Sequence, residues 1–169
     1  GKVIRGFHSF FAPLTLLALL VMAFYLFAGL GSNALQYTLG GWGMEGGTPV
    51  GIYMVLDGFS VLMLCIINLI GFIALFYSLS YIRKYTSEAN YYALFCLIVA
   101  GMNGVVLSGD LFNLFVFLEV SVIASYALVA FGVGKTELEA SFKYQVLGVL
   151  ASMLILLAIG LIYWKTKTL

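Results

Sequence analysis

Only 9% of this 169-residue chain is charged, against roughly 25% of an ordinary soluble domain. A surface so poor in charge cannot face water all round, and a water-soluble fold is excluded. The net charge of +1 comes with no basic stripe to neutralise phosphates, which excludes nucleic acid as a partner. The chain has one histidine and two cysteines, Cys65 and Cys96, both inside apolar runs and with no Cys-x-x-Cys pair. Neither a metal site nor an iron–sulfur site is expected from that set, and the cysteines read as small packed hydrophobes. Nucleophile–base pairs and cofactor motifs are missing as well, so a membrane enzyme handling lipid or quinone is disfavoured and no catalytic chemistry or cofactor is assigned to the chain.

What the sequence does have is hydrocarbon: 63% of residues are hydrophobic and the mean hydropathy is +1.11. In lipid the backbone must pair its own polar groups, which leaves helices or closed barrels. Barrel strands alternate apolar and polar residues over about ten positions, whereas the apolar runs here are about twice as long and unbroken. The expected class is therefore all-α, a polytopic helix bundle forming one transmembrane domain over 1–169. Five spans are expected, near 7–30, 51–80, 90–108, 110–133 and 141–164. The second exceeds a bilayer and should tilt or project. Gly31–Val50, with Gly40, Gly41, Gly43, Gly46 and Gly47, reads as an irregular surface loop closed by Pro49. Ser108-Gly109-Asp110 reads as a tight turn that makes the third and fourth spans antiparallel neighbours, with Asp110 capping the next helix.

Lys2, Arg5, Arg83, Lys84 and Lys135 gather on one side of such a bundle, and Lys165 and Lys167 on the other. The positive-inside rule then places Gly1 in the cytoplasm and Leu169 outside a cell membrane, with Tyr163 and Trp164 marking the outer interface. The opening Gly1-Lys2-Val3 suits a processed start or a fragment better than a cleavable signal peptide, because the first apolar run is long enough to span. No internal repeat or heptad pattern is present.

Against this background one carboxylate stands out. Glu119 lies about nine residues into the fourth span, some 13–14 Å deep at ~1.5 Å per residue, close to the bilayer centre. An ionisable group there costs on the order of 2.5–3.5 kcal/mol and normally faces protein or a water cavity. Two readings are open: a neutral acid hydrogen-bonded between helices, or a proton carrier, since a carboxyl group taken out of water binds its proton more tightly. Lys143 is the natural counterpart. Thr136-Glu137-Leu138-Glu139 has the capping-box pattern, which starts the fifth helix near Thr136 and carries Lys143 roughly 10 Å inward, within ~6 Å of the depth of Glu119. It either snorkels to the headgroups or faces the bundle, where its charge and that of Glu119 are coupled.

Weaker candidates surround this pair. Asn103, among Gly101 and Gly104, suggests an interhelical hydrogen bond ahead of a transport role. Gly148 and Ser152 suggest a packing seam on the fifth helix. Tyr126, seven residues after Glu119, shares its helical face and could order water near the carboxylate. Asp57 reads first as a helix start at the outer interface, His8 as an incidental interfacial histidine, and Phe112, Phe115 and Phe117 as membrane packing.

The string from Ser108 through Asp110, Asn113 and Glu119 to Tyr126, preceded by Leu56-Asp57-Gly58-Phe59-Ser60 and followed by Ala140-Ser141-Phe142-Lys143-Tyr144, resembles the antiporter-like membrane subunits of Mrp cation/proton antiporters, membrane-bound hydrogenases and respiratory complex I. The likeness is closest to the D-type component of Mrp antiporters. It implies a role in moving protons, or exchanging protons for sodium, beside other membrane subunits, driven by an ion gradient or by a partner's hydrogenase or NADH dehydrogenase-like redox chemistry. It further implies that Glu119 matches the ionisable residue of the family's fifth transmembrane helix and Lys143 the lysine that begins the sixth. The family's first helix, its seventh with a central lysine and its eighth with the usual histidine have no counterpart here, so the resemblance implies part of a longer or split subunit. The competing expectation is a non-conducting membrane subunit that scaffolds partners.

Overall fold

The computed structural model describes residues 2–29, 31, 34–39, 51–82 and 88–167, with side chains from Ser9 onward. Five helices make up the body: α1 (Lys2–Gly29), α2 (Gly58–Tyr81), α3 (Glu88–Leu107), α4 (Leu111–Val129) and α5 (Lys135–Thr166). Each is long and apolar enough to cross a membrane. The chain is a multi-pass membrane protein, and the helical class expected from its apolar runs holds.

Two carboxylates begin helices as their positions suggest. Asp57 is extended and accepts the Ser60 N–H at 2.7 Å, and Asp110 accepts the Asn113 N–H at 2.7 Å. Each satisfies one of the backbone donors that a helix start leaves unpaired, which matters more where water is scarce.

Between α1 and α2 the expectation of an irregular loop is corrected. Strands β1 (Leu35–Leu39) and β2 (Ile52–Leu56) form an antiparallel hairpin with Leu35 opposite Leu56 and Leu39 opposite Ile52. The second apolar run therefore holds a strand followed by a helix that starts at Gly58, so its surplus length is not surplus helix. Hydropathy adds both alike, and a short apolar run rich in Ile, Tyr and Val does not reveal its period. Gly40, Gly41, Gly43, Gly46, Gly47 and Pro49 lie outside the described residues, as do Arg83 and Lys84.

The longest helix is α5, whose 32 residues extend about 48 Å against a ~30 Å core. It starts beside the expected Thr136, but its cap is a second correction. Helical geometry begins at Lys135 after an extended Gly134, no side chain caps it, and the Thr136 hydroxyl donates to Glu137 at 2.9 Å, so the expected capping box does not form. Val133, with φ 54°, turns the chain into Gly134, which stands as N-cap two residues before the Thr136 that the box requires.

Packing runs in a row. Ala12 and Leu16 of α1, Leu75 of α2 and Tyr92 and Val99 of α3 share one buried cluster, and Ala23, Val61, Leu64 and Cys65 form another between α1 and α2. The α3–α4 pair is tight because Gly101 lies against Ser121 and the Phe117 carbonyl, while Gly104 lies under the Phe117 ring. The α5 helix leans on α4 and is otherwise exposed, as are large apolar side chains such as Phe76, Leu154 and Trp164.

The short α3–α4 turn is built into the hairpin. Ser108 bridges to Met54, and the Gly109 N–H donates to the Tyr53 carbonyl at 2.7 Å. A Cβ at Gly109 would come within 2.7 Å of Val55, so only glycine allows this approach. The hairpin, Asp57 and Asp110 thus share one end of the bundle. The Ser9 hydroxyl, donating to Glu88 at 3.5 Å, joins α1 to the start of α3 at the other.

Candidate functional site

Glu119 is the ninth of the 19 residues of α4, with more than two turns of helix on either side. Its side chain is half-buried on the α5 side, where the Ser152 hydroxyl donates to its Oε1. The apolar run that makes α4 a helix thus carries one acid to mid-depth, and the small residue at position 152 lets a hydroxyl on the neighbouring helix meet it.

The rest of the α4–α5 contact is also polar and small. Ser141 donates to the Tyr126 carbonyl at 2.8 Å, and the Ser125 hydroxyl lies 2.7 Å from the Val122 carbonyl and 3.3 Å from the Tyr144 hydroxyl. The Tyr126 and Tyr144 rings stand edge to face with centroids 4.8 Å apart. Tyr126 is 7% exposed, and its buried hydroxyl sits directly over Gly148, with no hydrogen-bond partner among the described residues. On α5 the positions 141, 144, 148 and 152 recur at the 3–4-residue spacing of one helical face.

Lys143 is not on that face. By the same period it lies on the far side of α5, exposed, with its Nζ 2.6 Å from Glu139 Oε1 one turn earlier. The structure therefore brings Glu119 together with Ser152 and places Lys143 with Glu139.

Asn103 meets Asn68. Each amide donates to the other, at 3.1 and 3.2 Å, and the Asn68 side chain, 1% exposed, also donates to the Leu64 carbonyl at 2.8 Å. The pair ties the middle of α2 to the last third of α3. Asp110 belongs to the hairpin end: its Oδ2 accepts the Tyr53 N–H at 3.3 Å and the Asn113 side-chain amide. Asp57, at the same end, is held below the usual carboxylate range chiefly by the Ser60 backbone N–H and secondly by the Ser60 hydroxyl. The side chain of His8 lies outside the described residues.

Residues 108–169 match the family described as NADH:quinone oxidoreductase/Mrp antiporter, and residues 42–96 match the N-terminal region of complex I chain 5. The chain belongs to the NADH:quinone oxidoreductase/Mrp antiporter family of membrane subunits. It is 36% identical over 169 residues to the D-type component of the Na(+)/H(+) antiporter of Alkalihalophilus pseudofirmus, covering 99% of this chain and 32% of that protein. The D-type component of a probable K(+)/H(+) antiporter of Rhizobium meliloti is 39% identical over 163 residues, covering 94% of this chain and 29% of that one. Among solved structures, the membrane-bound sulfane sulfur reductase, an archaeal respiratory membrane complex, contains a chain that superimposes with a TM-score of 0.85 at 30% identity, covering 94% of this chain and 32% of that one. The chain thus spans about a third of the length of these relatives. As a member of this antiporter family it carries Glu119 in the stretch the first match covers.

Sequence reasoning named Ser152 as a packing residue and missed its bond to Glu119. The signal available was the Gly148–Ser152 spacing of one turn, which marks a thin, polar strip of helix. Asn68 was missed as the partner of Asn103, although an amide inside Ile66-Ile67-Asn68-Leu69-Ile70 is itself such a signal.

Proposed function

We propose that this chain is the proton-carrying part of a multisubunit cation/proton antiporter or redox-driven ion pump, with Glu119 taking up and releasing the proton. One observation carries this reading: the only acid at mid-helix among the described residues is turned toward a neighbouring helix and a hydroxyl, away from the exposed flank of the bundle. A carboxyl group so placed is reachable through polar groups and still sheltered from bulk water. Family membership supports the same reading, since the relatives' names share the proton while differing in the cation. Exchange for sodium, assembly with further membrane subunits, and an orientation with the α4–α5 connection at the cytoplasmic face belong to this proposal.

Lys143 enters as a modulating charge. It lies nine residues from Ser152 along α5, about 13–14 Å, where a unit charge contributes on the order of 1 kcal/mol at an effective dielectric near 20. Pairing with Glu139 cancels most of that field, and opening the pair restores it.

The test is Glu119→Gln in the assembled complex, reconstituted in vesicles. Ion translocation is expected to fall by about a hundredfold or more, as for loss of a proton-transferring group, with assembly unchanged. Pumping at the parental rate in that variant would defeat the proposal and leave an anchoring or scaffolding role.

A further inference from the structure

We propose that the seam between α4 and α5 is the route by which Glu119 exchanges its proton with the membrane face at which α4 ends and α5 begins, with the Tyr126 hydroxyl as the relay next to the Ser152–Glu119 pair. The inference rests on Glu119 being the proton carrier and adds the path that serves it.

The geometry is a ladder of hydroxyls. Ser141 lies six residues after the start of α5, and Ser152 follows eleven residues later, about 16 Å further in. Between them stand Tyr144, which meets Ser125, and Gly148, which meets Tyr126. On α4 these positions meet, in turn, the Tyr126 carbonyl, the Ser125 hydroxyl, the Tyr126 hydroxyl and the Glu119 carboxyl, so the contacts succeed one another along the seam.

Two details argue against simple packing. The first is the Tyr126 hydroxyl, buried and without a hydrogen-bond partner among the described residues. A buried phenol is normally paired, and leaving it unpaired costs about 1–3 kcal/mol, whereas phenylalanine would fill the same space at no such cost. The hydroxyl is therefore retained for a partner, and the glycine beneath it keeps it at the α5 surface. Gly148 and Ser152 are one turn apart, about 6 Å, a gap that one water molecule with its two hydrogen bonds spans. The second is Ser125, whose hydroxyl has both the Val122 carbonyl and the Tyr144 hydroxyl within reach. A rotation about one bond moves its hydrogen from the first to the second.

Proton movement along such a ladder is conservative. Each hydroxyl oxygen accepts one proton from the rung before it and gives up its own to the next. The last transfer forms an O–H bond on a Glu119 carboxylate oxygen, and the reverse sequence returns the proton to the same face. No group on the ladder keeps a charge.

The assembled complex in vesicles allows a direct test through the rate at which the Glu119 carboxyl exchanges hydrogen for deuterium at acid pH, followed by its infrared C=O stretch. Loss of the band in Glu119→Gln assigns it. Tyr126→Phe and Ser125→Ala are each expected to slow the exchange about tenfold, the rate equivalent of one lost hydrogen bond, while Ser78→Ala, a buried hydroxyl on α2 away from the seam, exchanges at the parental rate. Parental exchange in both seam variants, in a protein whose translocation still stops in Glu119→Gln, overturns the route and leaves the carrier standing. Slowing shared equally by Ser78→Ala also overturns the route. Full translocation in Glu119→Gln removes the carrier and the route together.

Discussion

Ser152 of α5 donates its hydroxyl to Glu119 of α4, so the single mid-helix acid among the described residues is held by a residue 33 positions away in sequence. This contact crosses the interface between the two helices. It gives the carboxylate a fixed direction, and it makes the α4–α5 pairing part of the site.

Removing that hydroxyl tests how far the bond matters. Ser152→Ala leaves one oxygen of a half-buried carboxyl group without its donor, an effect of about 1–3 kcal/mol. Translocation is expected to fall by about tenfold or more and Ser152→Thr to recover most of it. Vesicle transport assays on both variants check this, and an unaltered alanine variant would reduce the contact to packing.

Gly148 is the place where the seam tolerates least. A Cβ there overlaps the Tyr126 hydroxyl, and overpacking of this kind costs about 1–3 kcal/mol. Gly148→Ala should lower the melting temperature in detergent, and adding Tyr126→Phe should restore a good part of it because the offending oxygen is gone. The two effects combine non-additively if the clash is real, which a double-mutant cycle measures.

The amide pair joining the middle of α2 to the last third of α3 makes a different prediction. Asn68→Leu or Asn103→Leu alone strands the other amide in a nonpolar setting, at a cost of about 1–3 kcal/mol. The double replacement leaves neither stranded and is expected to be milder than the Asn68 change alone. Thermal unfolding of the three variants decides it, and translocation should follow stability without an independent effect.

Asp57 predicts a pH dependence at the hairpin end. Its carboxyl is held below its ordinary value of 3.8 by the Ser60 N–H and hydroxyl, so the folded state prefers the charged cap. A depressed value contributes stability that is complete above the ordinary range and fades as pH falls through the lowered value. Thermal stability should therefore drop below about pH 4, and Asp57→Asn, which still caps a helix, should flatten that part of the profile. Equal acid sensitivity in the asparagine variant would place the effect elsewhere.

How much of this was legible in residues alone differs from element to element. Three of the five helices, α1, α3 and α4, fall close to their apolar runs, because crossing a bilayer imposes a length and a composition that neighbours do not alter. The caps at Asp57 and Asp110 were legible for the same reason: a cap bonds to a backbone N–H three residues on. The hairpin was hidden, since Ile52–Leu56 joins a helix without a break in hydropathy and its partner strand lies outside that run. The cap of α5 misled because the Thr136 hydroxyl donates to the Glu137 carboxylate and does not cap a backbone N–H as the pattern supposes.

The sequence by itself determined that the chain lives in a membrane, how many helices cross it, and that one acid sits at mid-depth in the fourth. These follow from transfer free energies and helical rise, which act along a single segment. Only the tertiary structure decided which residue meets Glu119, because two charges at similar depth are brought together or kept apart by how each helix is rotated about its own axis. Small residues at Gly148 and Ser152 turn one side of α5 toward α4, and Lys143, on the opposite side by helical period, is carried away to Glu139.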